Sequence, residues 1–457
     1  MKTYKIFTLV STLSVGLWLT ACNSQLDIKP VNSVATSQAL STAADLNALL
    51  VGAYDGLGGV NLYGGSFIRD AELLGNVPNT GDVLWTGTFV APQQIYVKRI
   101  LVNNDQADAT WTNAYRTINI CNTVLANLNL ALAADKDRIE GEAKFIRGSL
   151  YFELVRLYGK TWGDGDNSTN PGVPIVTTPT VVLDASSNVP RSSVAAVYTQ
   201  ALQDLTDAAA KLPVSNGFFA TQGASNAQLS RVYLQKADYP NAAKAADAVI
   251  SSKAYQLVPL ANVFDTRQSQ NGANTAETIF AIQNTDQDGI NDLNTFYGSS
   301  DVGGRGDIEL TDTFLSQFSA ADGRAGLIYT DAVDAIRTVK FINQYGNIQV
   351  FRLAEMYLTR AEANFRAGTS VGAAPLADIN LVRTRAGAAP LTAAQLTLAN
   401  ILRERRLELA FEGTYIHDLK RTKASVGTLA YNDPKLIFPV PLREVTTNPT
   451  LVQNTGY

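Results

Sequence analysis

Between residues 222 and 252 the chain reads as two short helices joined by a turn. Ala227, Leu229, Tyr233 and Leu234 recur at helical spacing before Asp238, and Tyr239, Ala242, Ala243, Ala246 and Val249 recur after it. Alanine at the contact lets two helix backbones approach closely. With a tyrosine at the turn, this is the grammar of a tetratricopeptide repeat. The pattern returns over 351–386, through Leu353, Tyr357, Leu358, Ala361, Ala363 and Phe365. The spacing therefore predicts a mainly α fold, a tetratricopeptide-like scaffold of about four helix pairs.

Other stretches supply further helices. Leu46, Leu49, Leu50, Ala53 and Tyr54 form one stripe; Trp111, Tyr115, Ile118, Asn122 and Leu125 form a second; Ile139, Ala143, Ile146, Leu150, Leu154 and Leu157 form a third. Residues 193–212 read as one helix closed by Leu212-Pro213, and 372–386 and 393–412 as two more. Glycines over 56–65 predict a loop. Residues 66–105 have no single period, and 159–190 is rich in Gly, Pro and Asp. From 255 to 350 the repeats stop; Glu277 to Ile282 looks like a strand, followed by an Asn/Asp/Gly-rich loop. The expected organisation is a helical region 41–254 carrying ligand loops, an irregular insert 255–350 with short strands, joined by the loops 56–105 and 159–190, and a C-terminal helical region 351–457.

The N-terminus carries a different signal. Lys2 and Lys5 precede an apolar run from Ile6 to Leu19, shorter than the ~20 residues a bilayer span needs. Leu19-Thr20-Ala21-Cys22 then form a bacterial lipobox, with small side chains before the cut and a thiol as acyl acceptor. Residues 1–21 read as a signal peptide, Cys22 as the lipid attachment site, and 22–40 as a tether. Each buried methylene of the acyl chains adds ~0.8 kcal/mol of membrane affinity.

Composition narrows the function. The formal charge is −4, and loss of Lys2 and Lys5 takes the mature chain to −6, which argues against nucleic acid as a partner. With Cys22 acylated, Cys121 has no intramolecular partner and reads as a small core residue. A single histidine, His417, in a stretch that reads as a helix end, argues against His-rich metal sites and a Ser-His-Asp triad. Glu404, Glu408 and Glu412 fall at i, i+4 and i+8 on one helix face and invite a hydrolase reading. The interleaved Arg403, Arg405 and Arg406 favour structural ion pairs instead. Asn284-Thr285-Asp286-Gln287-Asp288-Gly289 starts like an EF-hand loop, but its twelfth position is Thr295, so a turn is expected. No cofactor and no metal are expected.

Seven pieces in order resemble the SusD/RagB family over nearly the whole chain. They are Trp111-Thr112-Asn113-Ala114-Tyr115; Ala143-Lys144-Phe145-Ile146-Arg147 running into Tyr151-Phe152 and Arg156-Leu157-Tyr158-Gly159; the strand from Glu277; Asp322-Gly323-Arg324; Arg352-Leu353-Ala354-Glu355-Met356-Tyr357-Leu358; Glu404 through Gly413 with Asp418-Leu419-Lys420-Arg421; and Phe438-Pro439-Val440-Pro441 with the tail Gln453 to Tyr457. Two departures stand out: Thr414-Tyr415-Ile416-His417 replaces a stretch that usually holds an arginine or histidine among aromatics, and Thr455 replaces a proline. The resemblance implies an outer-membrane lipoprotein, facing the cell exterior, that captures oligosaccharide and passes it to a SusC-like TonB-dependent transporter.

A sugar site needs aromatic faces for the apolar side of a pyranose and polar partners for its hydroxyls, held on loops. The candidates are Trp85 first, with Asp82, Asn76 and Tyr96 in the segment before the Trp111 helix; Phe296 and Tyr297 at a loop tip in the insert, where Asn291 and Asn294 also lie; and Trp162 in the 159–190 loop. In the family the 76–105 stretch commonly contributes ligand aromatics. No catalytic residue is assigned. The alternatives are the same role with a peptide ligand, a surface glycoside hydrolase, and a repeat scaffold that binds only protein.

Overall fold

A computed structural model describes residues 40–457, Leu183 apart. The signal peptide, the lipobox at Cys22 and the tether up to residue 39 lie outside the described residues.

Helix α1 spans Ala43–Gly58 and starts at a capping box in which Thr42 and Asp45 satisfy each other's backbone. It runs into the predicted glycine loop. A short helix α2, Ser66–Gly75, follows; then strand β1, Val83–Trp85, and helix α3, Val90–Tyr96. The scaffold continues with α4 (Asp105–Ala126), α5 (Lys136–Tyr158), α6 (Val194–Lys211), α7 (Gln222–Gln235) and α8 (Tyr239–Ser251). Asn104, Ser193, Thr221 and Asp238 cap α4, α6, α7 and α8, each accepting a backbone N–H of the first turn.

The insert holds strand β2 (Thr278–Ile282), helix α9 (Asp292–Tyr297), strand β3 (Ile308–Leu310), the single turn α10 (Asp312–Leu315), and strands β4 (Ile328–Thr330) and β5 (Ile336–Thr338). Strand β6 (Ile348–Arg352) leads directly into α11 (Leu353–Ala367), which ends where Gly368 takes the left-handed φ of 65°. Helices α12 (Pro375–Arg385), α13 (Leu398–Glu408), α14 (Tyr415–Arg421) and α15 (Leu442–Thr447) complete the described chain.

Packing follows the repeat grammar. Helices α1, α4, α5, α6, α7, α8, α11 and α12 lie each against the next, and α13 closes on α11. Those eight make four pairs. Ala227, Ala242, Ala243, Ala246, Ala361 and Ala363 are all fully buried, so the backbones meet where the alanines predict. The β2 strand pairs antiparallel with β6, and this ribbon packs on α7. The other strands form one antiparallel sheet in the order β1-β3-β5-β4. Its edge strand β1 comes from the 76–105 segment, so that segment is sewn to the insert.

Three expectations change. Helix α2 was hidden in the stretch without a single period because it is short: its apolar stripe, Phe67, Ile68, Ala71 and Leu74, covers only two turns, and its polar face is buried too. Its charges are matched inside: Glu72 accepts from Arg406 at 2.7 Å and from the Gly413 amide at 3.1 Å. The 159–190 loop is held by the scaffold rather than the insert; Tyr115 and Asn122 on α4 donate to the carbonyls of Pro174 and Val176, and Tyr151 on α5 donates to Val176. Finally, α13 stops at Glu408. Phe411 then takes a left-handed φ of 68°, so Glu412 lies in the turn beyond the helix.

Glu404, Glu408 and Glu412 are nonetheless structural, though not through the neighbouring arginines. Arg324 reaches Asp322, Glu404 and Glu408; Arg352 reaches Glu277, Glu408 and Glu412; Arg385 reaches Glu277 and Glu408; Arg383 reaches Glu404; Lys340 reaches Glu412. Five cations thus meet five carboxylates in one closed, nearly dry network. Burial works against the charge on Glu408, but Arg352, Arg385 and Arg324 outweigh it and hold this carboxyl well below the usual range. Of the interleaved arginines, Arg405 pairs with Glu355 and Asp418, and Arg406 with Glu72 and Asp82. Cys121 is a buried core thiol, pushed up to about 12 by burial. His417 is buried within α14 beside Arg156 and Lys420.

Candidate functional site

The sheet edge at β1 sets the site. Trp85, the last residue of β1, lies opposite Ile308 of β3 and is half-buried. The chain then crosses the turn 305–307. The Thr86 amide donates to the Asp307 carbonyl at 2.9 Å, and Gly87 lies so close that a Cβ there would sit 2.5 Å from the Asp307 Cγ. That approach is why the next residues, Thr88 and Phe89, emerge over Arg305. Beneath the turn, the buried Arg337 donates to the carbonyls of Gly306 and Ile308, both at 2.8 Å, and pairs with Asp331 at 2.9 Å. A charged clamp inside the sheet therefore fixes a loop at its rim.

Three aromatics meet there. Phe296 of α9 stands 5.8 Å from Trp85 and 6.0 Å from Phe89, ring centre to ring centre. Phe296 is itself buried, and its other flank is covered by the Arg69 guanidinium 4.3 Å from the ring centre. Arg69 is locked by Asp70 and Asp292, both at 2.8 Å. Burial, with Asp70 beside it, pushes the Asp292 carboxyl up to about 6 against the pull of Arg69. On the solvent side Phe89 is 46% exposed, and Arg305 lies 4.4 Å over its ring. Arg305 also pairs with Asp307 at 3.1 Å and donates to Thr88. Among the described residues the Trp85 Nε1 has no hydrogen-bond partner. The result is a rigid aromatic ledge with a guanidinium, a carboxylate and two threonine hydroxyls at its edge. Such a surface offers stacking to an apolar face and hydrogen bonds to hydroxyls.

The sequence candidates divide. Trp85 and Phe296 come together. Asn76 does not reach the ledge: its side-chain oxygen accepts the Asp82 and Val83 amides and its nitrogen donates to the Glu72 carbonyl, all inside the protein. Asp82 is buried, paired with Arg406 at 2.7 Å and bonded by Gln317 at 2.7 Å. Tyr96 is buried too, its hydroxyl accepting from the Asn79 amide and donating to the Val83 carbonyl. Tyr297 is fully enclosed between Phe341 and Phe411. Asn76, Asp82 and Tyr96 hold the segment that carries Trp85 and Tyr297 fills the core beneath it; all four are buried, so none is ligand surface. Asn291 and Asn294 likewise serve the backbone, Asn291 capping α9 and donating to Asn343 and Gly346, Asn294 bonding the Val302 and Phe341 carbonyls. Trp162 belongs elsewhere, packed on Tyr198 at 5.0 Å beneath Lys236.

Phe89 and Arg305 are the ledge residues that sequence reasoning passed over. Phe89-Val90 is an exposed apolar pair in an otherwise polar loop, which was the available signal. Arg305 sits in the Arg305-Gly306-Asp307 tripeptide, where its pairing with a loop over two hundred residues earlier leaves no local trace.

The helical-repeat scaffold thus displays a loop-borne aromatic surface. A family model described as "SusD family" matches residues 329–437, and another, described as "Starch-binding associating with outer membrane", matches residues 25–234. The chain belongs to the SusD/RagB family. It is 26% identical over the full length of both chains to a SusD-like protein P2 of Formosa agariphila. Among solved structures it resembles a SusD superfamily protein from Bacteroides vulgatus, with a TM-score of 0.82, 22% identity, and 92% of this chain and all of that one covered. It also resembles a SusD-like carbohydrate binding protein from the same species, with a TM-score of 0.71, 25% identity and 85% of each chain covered.

Proposed function

We propose that this protein is a cell-surface lipoprotein that captures oligosaccharide on the Trp85–Phe89–Phe296 ledge and passes it to a SusC-like TonB-dependent transporter. The observation that carries the reading is the partly exposed Trp85, backed by Phe296 and flanked by the exposed Phe89, on a rim whose turn is clamped from below. A preorganised aromatic face loses little freedom on binding, so stacking converts into affinity. The family's outer-membrane association and the sugar-binding names of its relatives support the ligand class. The lipobox supports attachment through Cys22, and no helix among the described residues is long and apolar enough to cross a membrane. The carboxylate row is tied up in ion pairs, which speaks against hydrolysis.

The test is a glycan array probed with the purified soluble chain, together with affinity isolation of the full-length protein from detergent-solubilised outer membranes. The reading expects one or a few oligosaccharide classes to bind without being cleaved and a TonB-dependent transporter to co-purify. A chain that binds peptides but no glycan overturns the ligand class. Cleaved glycan overturns the non-enzymatic reading. Radiolabelled palmitate should enter the wild type and not Cys22→Ser.

A further inference from the structure

Apart from the ledge, a concavity of about 440 Å³ lies between the C-terminal end of α1, the 213–221 loop and the 284–292 stretch, floored by β2. That volume is within the usual range for small-ligand pockets, ~300–1,000 Å³. Its aromatic side is built deliberately. The Tyr54 hydroxyl accepts the Ala220 amide at 2.9 Å, which pins the 213–221 loop to α1. Phe219 then packs on Tyr54 with ring centres 4.9 Å apart. Phe219 remains 39% exposed and its neighbour Phe218 is 66% exposed, so two phenyl groups face water at the mouth.

The mouth is also acidic. Asp55 and Asp288 line the mouth, both exposed, and Asp292 lines it while holding Arg69. Asp288 is not mobile: it accepts from the Thr285 amide at 2.9 Å and the Thr285 hydroxyl at 2.7 Å. Asn284 closes the same turn by donating to the Gly289 carbonyl. The stretch that starts like an EF-hand is thus a closed turn that presents one carboxylate to the cleft. Among the described residues lining it there is no lysine, arginine or histidine. Aromatic faces with carboxylates and no competing cation attract a positively charged group.

We propose that this cleft is a second ligand site that takes the cationic amino sugar of an oligosaccharide, its ring against Phe218 and Phe219 and its ammonium between Asp55 and Asp288. The proposal rests on the reading that the ligand is a glycan. Helix α9 connects the two sites: Asp292 at its first turn borders the cleft, and Phe296 near its end forms the ledge. A glycan bearing free amines would gain a contact at the cleft that a neutral or acidic one lacks.

The test uses calorimetric titration of the Trp85→Ala/Phe89→Ala protein, in which the ledge is removed, with the β-1,4-linked glucosamine trimer. Its N-acetylated counterpart and trilysine are the comparison probes. The expected result is saturable binding of the glucosamine trimer, at least about tenfold weaker for the acetylated trimer. Asp55→Asn/Asp288→Asn should weaken the glucosamine trimer about tenfold or more, and both positions are exposed, so folding is preserved. Phe219→Ala should weaken both trimers. No saturable binding, binding indifferent to the two aspartates, or trilysine binding as tightly as the trimer each overturns the proposal. A wild-type protein that binds neutral glycans while this experiment fails leaves the ledge reading standing. Failure of both removes both.

Discussion

Replacing Glu408 with glutamine tests whether the buried charge network is the keystone that joins insert to scaffold. The side chain keeps its shape and loses its charge. Glu408 is 2% exposed and faces Arg324, Arg352 and Arg385, with Arg352 at 2.6 Å. In the wild type five cations balance five carboxylates; in Glu408→Gln the cluster carries one uncompensated positive charge with almost no water to screen it. Breaking a buried pair in this way costs about 3–5 kcal/mol. At roughly 2.1 cal/mol/K of unfolding entropy per residue, some 420 described residues give about 0.9 kcal/mol/K, so the melting temperature should fall by about 3–6 °C. Differential scanning calorimetry at neutral pH reads this directly. A variant melting within about 1 °C of wild type would refute the reasoning, since the calculated drop is several times larger. Sugar binding at the ledge should survive in the folded variant, because the network touches none of the three ledge aromatics.

This network and the neighbouring Glu362–Arg421–Asp418–Arg405 pairs set an acid limit. Burial opposes the charge on Glu408, Glu412, Glu362 and Asp418, yet their arginine and lysine partners hold all four below the ordinary carboxylate range. A carboxyl lowered on folding contributes stability that is present above its unfolded value, about 4, and is lost as pH falls further; melting temperatures should therefore fall steeply below about pH 4.5, and less steeply in Glu408→Gln. Gly87→Ala would drive a methyl into Asp307 and displace the Phe89–Arg305 stack, so glycan affinity should fall by about tenfold or more while the melting temperature, with a cost of ~1–3 kcal/mol for overpacking at a rim, falls by only about 1–3 °C; unchanged affinity by titration would mean Phe89 is not part of the surface. Cys121, buried and with its thiol raised to about 12, should resist maleimide in native Cys22→Ser protein and react fully in urea; rapid native labelling would contradict the packing of α4.

The scaffold was readable because its chemistry is local. Alanines at the contacts of α7, α8 and α11 and caps such as Thr221 and Asp238 act within a few residues, and their spacing is visible in one chain. What failed to read was long-range. Helix α2 hides because its apolar stripe spans only two turns and its buried charges are satisfied from far away, Glu72 by Arg406, 334 positions on. Asn76, Asp82 and Tyr96 look like polar and aromatic loop residues until their partners, Gln317 and Arg406 among them, are known. The Glu404–Glu408–Glu412 row was correctly read as structural, but its partners come from Arg324, Lys340, Arg352, Arg383 and Arg385, which no helical spacing could name. Trp85 and Phe296 were legible as aromatics in irregular segments. Their meeting depends on β1 pairing with β3, a register fixed by tertiary contact alone.

The most direct test of the central claim is calorimetric titration of wild type and Trp85→Ala with the best-bound neutral oligosaccharide from the array. A central aromatic anchor is worth about 2 kcal/mol or more, so Trp85→Ala should bind roughly thirtyfold more weakly. The ring is mostly buried against Phe296, so truncation should cost at most about 3–5 kcal/mol and lower the melting temperature by a few degrees while the protein stays folded. Equal affinity in a folded Trp85→Ala protein would show that the ledge is not where this protein takes its ligand.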